Sequence, residues 1–106
     1  MPRRAINSPD YLVPIDGFSQ VVEAPAGGRL LFVSGLTSRD ARGEIVAVGD
    51  VTGQTRQVLR RMAGVLEAAG ATLDDVVQIR TYVRNMEDWP AIEAVWREIW
   101  SEPWPA

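Results

Sequence analysis

The sequence predicts an α+β domain in which two helices pack on one face of a mixed β-sheet. Three observations support this fold class: strand-like segments lead the chain, helical apolar patterns span residues 51–69 and 89–101, and a strongly alternating segment lies between them. With 106 residues, the chain is predicted to form one domain, residues 1–106. A domain of this size buries a limited core, so association with further subunits would add to its stability.

The first part of the chain is predicted to be extended. Residues 1–15 contain three prolines and little periodicity, which is typical of an extended lead-in. Strands are then predicted at residues 18–24 and 30–36, joined by a tight turn at Pro25-Ala26-Gly27-Gly28, and a short strand is predicted at 44–48. Because residues 30–33 are continuously apolar, we expect that strand to be covered on both faces.

The first helix is predicted between two capping signals. Asp50 is a suitable N-cap, and Gly70 is placed to end the helix. Gly53 and Gly64 weaken the helix, so we expect a strand to approach it closely at these positions. One apolar stripe is expected to pack on the sheet; it comprises Val51, Thr55, Val58, Met62, Val65, Leu66 and Ala69.

The second half of the chain repeats the strand and helix order. Residues 76–84 alternate between apolar and polar side chains, as in a half-buried strand. Asp88 can cap the second helix, and Pro90 falls in its first turn, where a missing N–H is tolerated. Four tryptophans follow at helical spacing. They are predicted to pack against the sheet or a neighbouring subunit, with an aromatic pocket wall as the alternative; they are Trp89, Trp96, Trp100 and Trp104.

The composition removes several kinds of chemistry. The chain has no Cys, no His and no Lys, and all 11 cationic side chains are Arg. A thiolate nucleophile, a Ser–His triad, a lysine Schiff base and a zinc site with nitrogen or sulfur ligands are therefore excluded. The groups that remain for polar chemistry are carboxylates, arginines, hydroxyls, amides and the backbone. We expect no metal and no cofactor.

The charge balance indicates which partners to expect. A net charge of −3 argues against general nucleic-acid binding, which needs a basic face, and the Arg56, Arg60 and Arg61 group is best explained as a solvated helix face. No apolar run reaches the length of a membrane span. The expected protein is cytoplasmic and binds neither nucleic acid nor a membrane.

Three motifs carry a resemblance to a known family. In chain order they are Asp16-Gly17-Phe18-Ser19-Gln20, Leu31-Phe32-Val33-Ser34-Gly35 and the run from Glu67 to Val77. The chain resembles the Rid family (RidA, YjgF, also called endoribonuclease L-PSP) from about residue 15 to 106. The resemblance implies a chorismate mutase-like sandwich, a homotrimer with small-molecule pockets between subunits, and cofactor-free hydrolysis of reactive enamines and imines to release ammonia.

The resemblance also implies where a substrate would bind. In Rid proteins the Ser-Gly pair lines the pocket, which assigns Ser34, Gly35 and the adjacent Leu36 to substrate binding. Phe18 stands where deaminases usually have Tyr, and Glu93 stands where they often have Asn near the substrate. Without the family, these residues are more simply a turn glycine, a core phenylalanine and a solvent-facing glutamate.

The catalytic residues are not assigned. In the family, the arginine of a Pro-Ala-Arg sequence binds the substrate carboxylate, and this sequence reaches Pro105-Ala106. Three explanations for the missing arginine are open: residues beyond 106 are left out, the chain is truncated, or the protein has diverged from the family. Two functions from different classes follow, an enamine/imine deaminase and a non-catalytic module that binds a metabolite or a protein. An endoribonuclease role fits poorly with the acidic balance and the lack of His.

Overall fold

The fold was determined as a computed structural model that describes residues 3–6, 9–10, 19–24, 27–101 and 103–106. Its regular elements are two short strands, two α-helices and two 3-10 turns. They are β1 (Arg4–Ile6), β2 (Val21–Glu23), α1 (Val51–Ala68), a turn at Leu73–Asp75, a turn at Met86–Asp88, and α2 (Trp89–Ile99).

The two strands form an antiparallel pair. Ala5 lies opposite Val22, and an ion pair of 2.9 Å joins Arg4 to Glu23 at one end of the pair. β1 lies within residues 1–15, which were expected to be an extended lead-in, and its pairing with β2 was not predicted. β2 falls within the predicted strand 18–24, whereas the predicted turn at residues 25–28 lies largely outside the described residues.

α1 begins and ends at the predicted signals. The Asp50 carboxylate accepts a hydrogen bond of 3.0 Å from the Gly53 N–H, which satisfies one free donor of the first turn. A Cβ at Gly53 would collide with that carboxylate in its present position, so glycine at this position lets the cap keep this geometry. Gly70 has φ +82°, the left-handed conformation that follows many helix ends.

The buried face of α1 differs in part from the predicted stripe. Leu59 is 2% exposed and was absent from the prediction, whereas Val65, which was included, is 44% exposed. The face is therefore centred on Leu59 and Leu66. Among the described residues, no atom lies within 4 Å of the position that a Cβ at Gly64 would take, so the expected close approach of a strand is not found there.

α2 supplies most of the core. An Asn85 side chain accepts from the Glu87 N–H and starts a 3-10 turn that leads into the helix, while Asp88 occupies the N-cap position without a side-chain cap bond. The ring of Trp96 packs edge-on against Trp89 at 5.2 Å and Trp100 at 5.7 Å. Trp96 and Trp100 are thus buried in the core, and the partly buried Trp89 and Trp104 pack against it. The buried cluster comprises Leu59, Ile92, Val95, Trp96 and Trp100.

Two predicted strands are extended without joining a sheet within the described residues. Residues 30–36 and 76–84 have no strand partner among those residues, and the predicted strand 44–48 is reduced to a single bridge between Arg39 and Ile45. Ile79 and Val83 pack against the core while the alternate positions are exposed, as predicted for 76–84. The two-sided cover expected for residues 30–33 is not present within the described part of this chain.

Residues 103–106 lie between the start of the chain and residues 77–79. The Ser19 N–H donates to the Pro105 carbonyl at 3.1 Å, and the Arg3 Nε donates to the Pro103 carbonyl at 2.7 Å. Arg3 is only 6% exposed. Burial lowers the pKa of its guanidinium from the usual value, against the opposite effect of the nearby Asp74 and Asp75 carboxylates.

Candidate ligand-binding site

The predicted Ser34-Gly35-Leu36 segment borders a groove against α1. Ser34 and Leu36 line the groove, which has a volume of about 260 Å³. Ser34 and Gly35 are exposed, and Leu36 is half-buried. The remaining lining is apolar and comes from the preceding residues and the end of α1; it consists of Leu31, Phe32, Val33, Val65, Leu66 and Ala69.

Side chains of α1 hold the chain immediately after this segment. The Arg61 guanidinium donates to the Thr37 carbonyl, and the Gln57 side-chain amide donates to the Arg39 carbonyl, both at 2.7 Å. Arg61 was interpreted from the sequence as part of a solvated helix face, and its role in fixing residue 37 was missed. The distance between a helix and a loop depends on tertiary packing. The sequence therefore contained no indication of the contact between Arg61 and Thr37 beyond the grouping of arginines on the helix.

Gly35 is not required by contacts within the described chain. A Cβ at this position would meet nothing within 4 Å, and Gly35 is not among the glycines with positive φ. The turn-glycine interpretation therefore has no support at this position. A close approach by a ligand or a neighbouring subunit remains a prediction.

Glu93 lies on α2 and does not line the groove. Its carboxylate forms an ion pair of 2.9 Å with Arg97 one turn later, and its side chain is 17% exposed. The partly buried carboxylate is thus charge-compensated, which removes the repulsion that an isolated carboxylate would exert on an acidic ligand. Among the described residues, no hydrogen bond or ion pair joins Glu93 to Ser34 or Leu36. Phe18 lies outside the described residues.

A second groove lies between α2 and the extended residues 79–81. It has a volume of about 230 Å³ and is lined by Ile79, Thr81, Trp89, Trp96 and Ala106. The indole N–H of Trp89 is buried and has no hydrogen-bond acceptor in the described structure. Nothing in the sequence pattern indicated this unsatisfied donor.

Two carboxylates that could be mistaken for acid–base catalysts, those of Glu98 and Asp75, form structural contacts. The Glu98 carboxylate bonds to the Arg56 guanidinium at 2.8 Å across the two helices, which lowers the pKa of Glu98 and raises that of Arg56. The Asp75 carboxylate accepts from the Thr72 N–H at 2.9 Å. In the part of the chain that the structure describes, no group of His, Cys, Asp or Glu could hold a metal ion, and no helix could cross a membrane.

Comparison with known proteins shows which protein family this chain resembles in sequence. The model of the family described as "Endoribonuclease L-PSP" matches residues 8–106. A "2-iminobutanoate/2-iminopropanoate deaminase" of Dermatophagoides farinae is 33% identical over 99% of this chain and 80% of its own length. A "3-aminoacrylate deaminase RutC" of Acinetobacter baylyi is 36% identical over 80% of this chain and 68% of its own.

A solved structure agrees with the sequence relatives. The crystal structure of a conserved Rid-family protein of unknown function, YyfB from Yersinia pestis, is 40% identical with a TM-score of 0.84 and covers all of this chain and 81% of its own. A "RutC family protein" of Pyrococcus horikoshii is 40% identical over 88% of this chain and 71% of its own. The predicted α+β fold class is confirmed by this match, and the chain belongs to the Rid family.

Proposed function

We propose that this chain is a hydrolytic deaminase of reactive enamines and imines, acting in the cytoplasm as a homotrimer with its pocket between subunits. The single observation that carries the proposal is the similarity, over at least four-fifths of the chain, to two proteins named as deaminases of this kind. The presence of Ser34 and Leu36 in one groove supports the proposed pocket.

The proposed reaction needs no cofactor because an imine carbon is already electrophilic. Water adds to the C=N bond, and the resulting carbinolamine loses ammonia to leave a carbonyl compound. In the proposed site, the exposed backbone N–H groups of Ser34 and Gly35 bind the substrate carboxylate, since backbone donors oriented in advance stabilise negative charge. A bound water or a carboxylate shuttles the proton.

The unpaired apolar segment that borders the groove supports self-association, and three subunits is the number that the family resemblance suggests. Leu30 is 72% exposed and Phe32 is 91% exposed, which leaves a contiguous apolar surface of the kind that protein interfaces cover. Covering this segment with a neighbouring subunit would close the open groove around Ser34. The expected native mass is three times that of one subunit, measurable by sedimentation.

The test is ammonia release from 2-iminobutanoate generated in situ by an amino-acid oxidase. We expect release well above the buffer rate, and at least a tenfold lower kcat/KM for Gly35→Ala, which corresponds to about 1.4 kcal/mol of lost transition-state stabilisation. Gly64→Ala is the matched control, because a Cβ at either glycine would meet nothing within 4 Å. Buffer-level release from every imine tested would contradict the proposal.

A second candidate is a non-catalytic module that binds a metabolite or a protein. The observation that favours it is the groove lining, which combines seven apolar residues with one serine. An apolar ligand would be held there without acid–base assistance. Saturable binding of a small apolar carboxylic acid, together with no ammonia release from imines, would select this candidate.

A further inference from the structure

One face of α1 holds the loop of residues 37–47 by its backbone carbonyls. The side chains at positions 54, 57 and 61 are spaced by about one helical turn, so they lie on the same face of the helix. Each donates one hydrogen bond to the loop. The three bonds run from Arg61 to the Thr37 carbonyl, from Gln57 to the Arg39 carbonyl and from Gln54 to the Ala47 carbonyl, at 2.7, 2.7 and 2.9 Å.

Other hydrogen bonds of this loop join its residues to each other. The Ser38 hydroxyl donates to the Val46 carbonyl at 2.8 Å, and the Val46 N–H donates to the Ser38 carbonyl at 3.0 Å. The Arg39 N–H donates to the Thr37 carbonyl at 2.9 Å. These bonds give the loop its shape, whereas the three side-chain bonds from the helix fix where the loop lies on α1.

Arg61 is the member of this set that is nearest to the proposed carboxylate site. The Thr37 carbonyl that it holds lies two residues after Gly35, whereas the other two carbonyls lie further along the chain. Its guanidinium is also the one charged donor of the three, and charged donors form the stronger hydrogen bonds. Because peptide units are planar, holding the Thr37 carbonyl restricts the backbone that leads back to the Gly35 N–H.

We infer that Arg61 is a positioning residue for carboxylate binding, which directs the Ser34 and Gly35 N–H groups by holding the Thr37 carbonyl. This role rests on the proposed function, in which those N–H groups bind the substrate carboxylate. Donors that are oriented before binding lose less free energy on binding than donors that must first be ordered. In this role the guanidinium acts through the backbone and not by contact with the substrate.

The first test is the affinity of the intact protein for 2-oxobutanoate, the carbonyl product of the proposed reaction. The binding constant is obtained from the NMR shifts of the Ser34 and Gly35 amides. Arg61→Gln should weaken binding about tenfold, because the charged hydrogen bond that orients these donors is lost. An unchanged affinity in Arg61→Gln, or product binding that shifts neither amide, would overturn the inference.

Arg42→Gln is the matched control for the lost charge. Arg42 is exposed in the same loop, and its side chain forms no ion pair in the described part of the chain. This variant removes one positive charge and leaves all three bonds from α1 in place, so its affinity for 2-oxobutanoate should equal that of the native protein. A loss as large as that of Arg61→Gln would assign the effect to net charge and contradict a positioning role.

The kinetic constants separate positioning from general damage to the fold. For ammonia release from 2-iminobutanoate, Arg61→Gln should raise KM about tenfold and change kcat less than about threefold, because the carboxylate is bound alike in the ground and transition states. Gln57→Leu should raise KM by a smaller factor, since a neutral amide holds the more distant Arg39 carbonyl. A lower kcat at unchanged KM would contradict the inference. Release at the buffer rate by the native protein would contradict the deaminase instead, and the 2-oxobutanoate titration alone would then decide the role of Arg61.

A double-mutant cycle distinguishes the indirect role from direct contact with the carboxylate. If Arg61 acts through the backbone at Gly35, Arg61→Gln should cost less affinity for 2-oxobutanoate in the Gly35→Ala background than in the native protein, because coupled sites are not additive. Direct contact predicts the same loss in both backgrounds. Equal losses would therefore rule out the positioning role.

Discussion

The two helices and the extended segments of this molecule differ in how they bury apolar side chains and pair their backbone hydrogen-bonding groups. α1 and α2 pack on each other, and their buried residues share one cluster that includes Leu59 and Trp96. Residues 30–36, by contrast, have apolar side chains as exposed as Phe32, at 91%, and no strand partner in the described structure. A helix completes its hydrogen bonds from its own backbone, whereas an extended segment needs a neighbour.

The largest expected difference between the two regions is in stability. Leu59→Ala should lower the free energy of unfolding by about 2–5 kcal/mol, because it removes a fully buried side chain and leaves a cavity. Leu30→Ala, at a position 72% exposed in the single subunit, should change the free energy of unfolding of dissociated subunits by less than about 0.5 kcal/mol. Urea denaturation of both variants at protein concentrations that keep the subunits apart measures the difference, and equal losses would contradict it.

The next effect concerns association. Phe32→Ser should weaken self-association by about 1.5–3 kcal/mol per subunit contact, the range for burying a large apolar side chain. Sedimentation equilibrium measures this change. Val48→Ser is the control, since Val48 is 81% exposed in the turn before α1 and lies outside the groove. If Phe32→Ser associates as strongly as the native protein, residues 30–36 are not part of the subunit interface.

A smaller effect distinguishes two glycines within α1. Gly64→Ala should stabilise the protein by about 1 kcal/mol, because the site is open and alanine favours the helix. Gly53→Ala gains the same helix propensity but displaces the Asp50 cap, a loss of about 1 kcal/mol that offsets the gain, so it should leave the stability nearly unchanged. Thermal unfolding measures both changes. The explanation of the cap fails if Gly53→Ala stabilises the protein as much as Gly64→Ala does.

The smallest effect is the pH dependence of the bridge between the helices. Glu98 has a pKa below its usual 4.5 in the folded protein, so the contribution of its bond to Arg56 is present above that pH and is lost as the pH falls below it. The Tm difference between the native protein and Glu98→Gln should be small at pH 7 and should vanish in acid. A Tm difference that grows in acid would contradict this explanation.

The same contrast explains how much of the fold could be predicted. The sequence predicted α1 to within one residue at its end and the tryptophan packing of α2, because capping and periodicity are local. It missed Leu59, since several apolar positions compete for the inner face and only packing selects among them. Strand pairing at residues 30–36 was predicted and is not found among the described residues, because a strand pattern does not specify its partner.

The candidate site was predictable only in part. The motif ending in Ser34-Gly35 predicted a substrate site, and the structure places Ser34 and Leu36 on the wall of a groove, while substrate binding there stays a prediction. The contacts of Gln57 and Arg61 with the following residues depend on how α1 lies against them and could not be predicted from spacing. The roles of Phe18 and Glu93 in substrate binding stay predictions.

The most direct test of a shared catalytic pocket is the rate of ammonia release from 2-iminobutanoate per subunit, measured over a range of protein concentrations. A pocket completed between subunits predicts that the rate is above background at high concentration and falls as dilution separates the subunits. Phe32→Ser should shift this fall to higher concentration. A rate per subunit that stays constant while sedimentation shows dissociation would contradict a shared pocket, and release at the buffer rate throughout would contradict the deaminase itself.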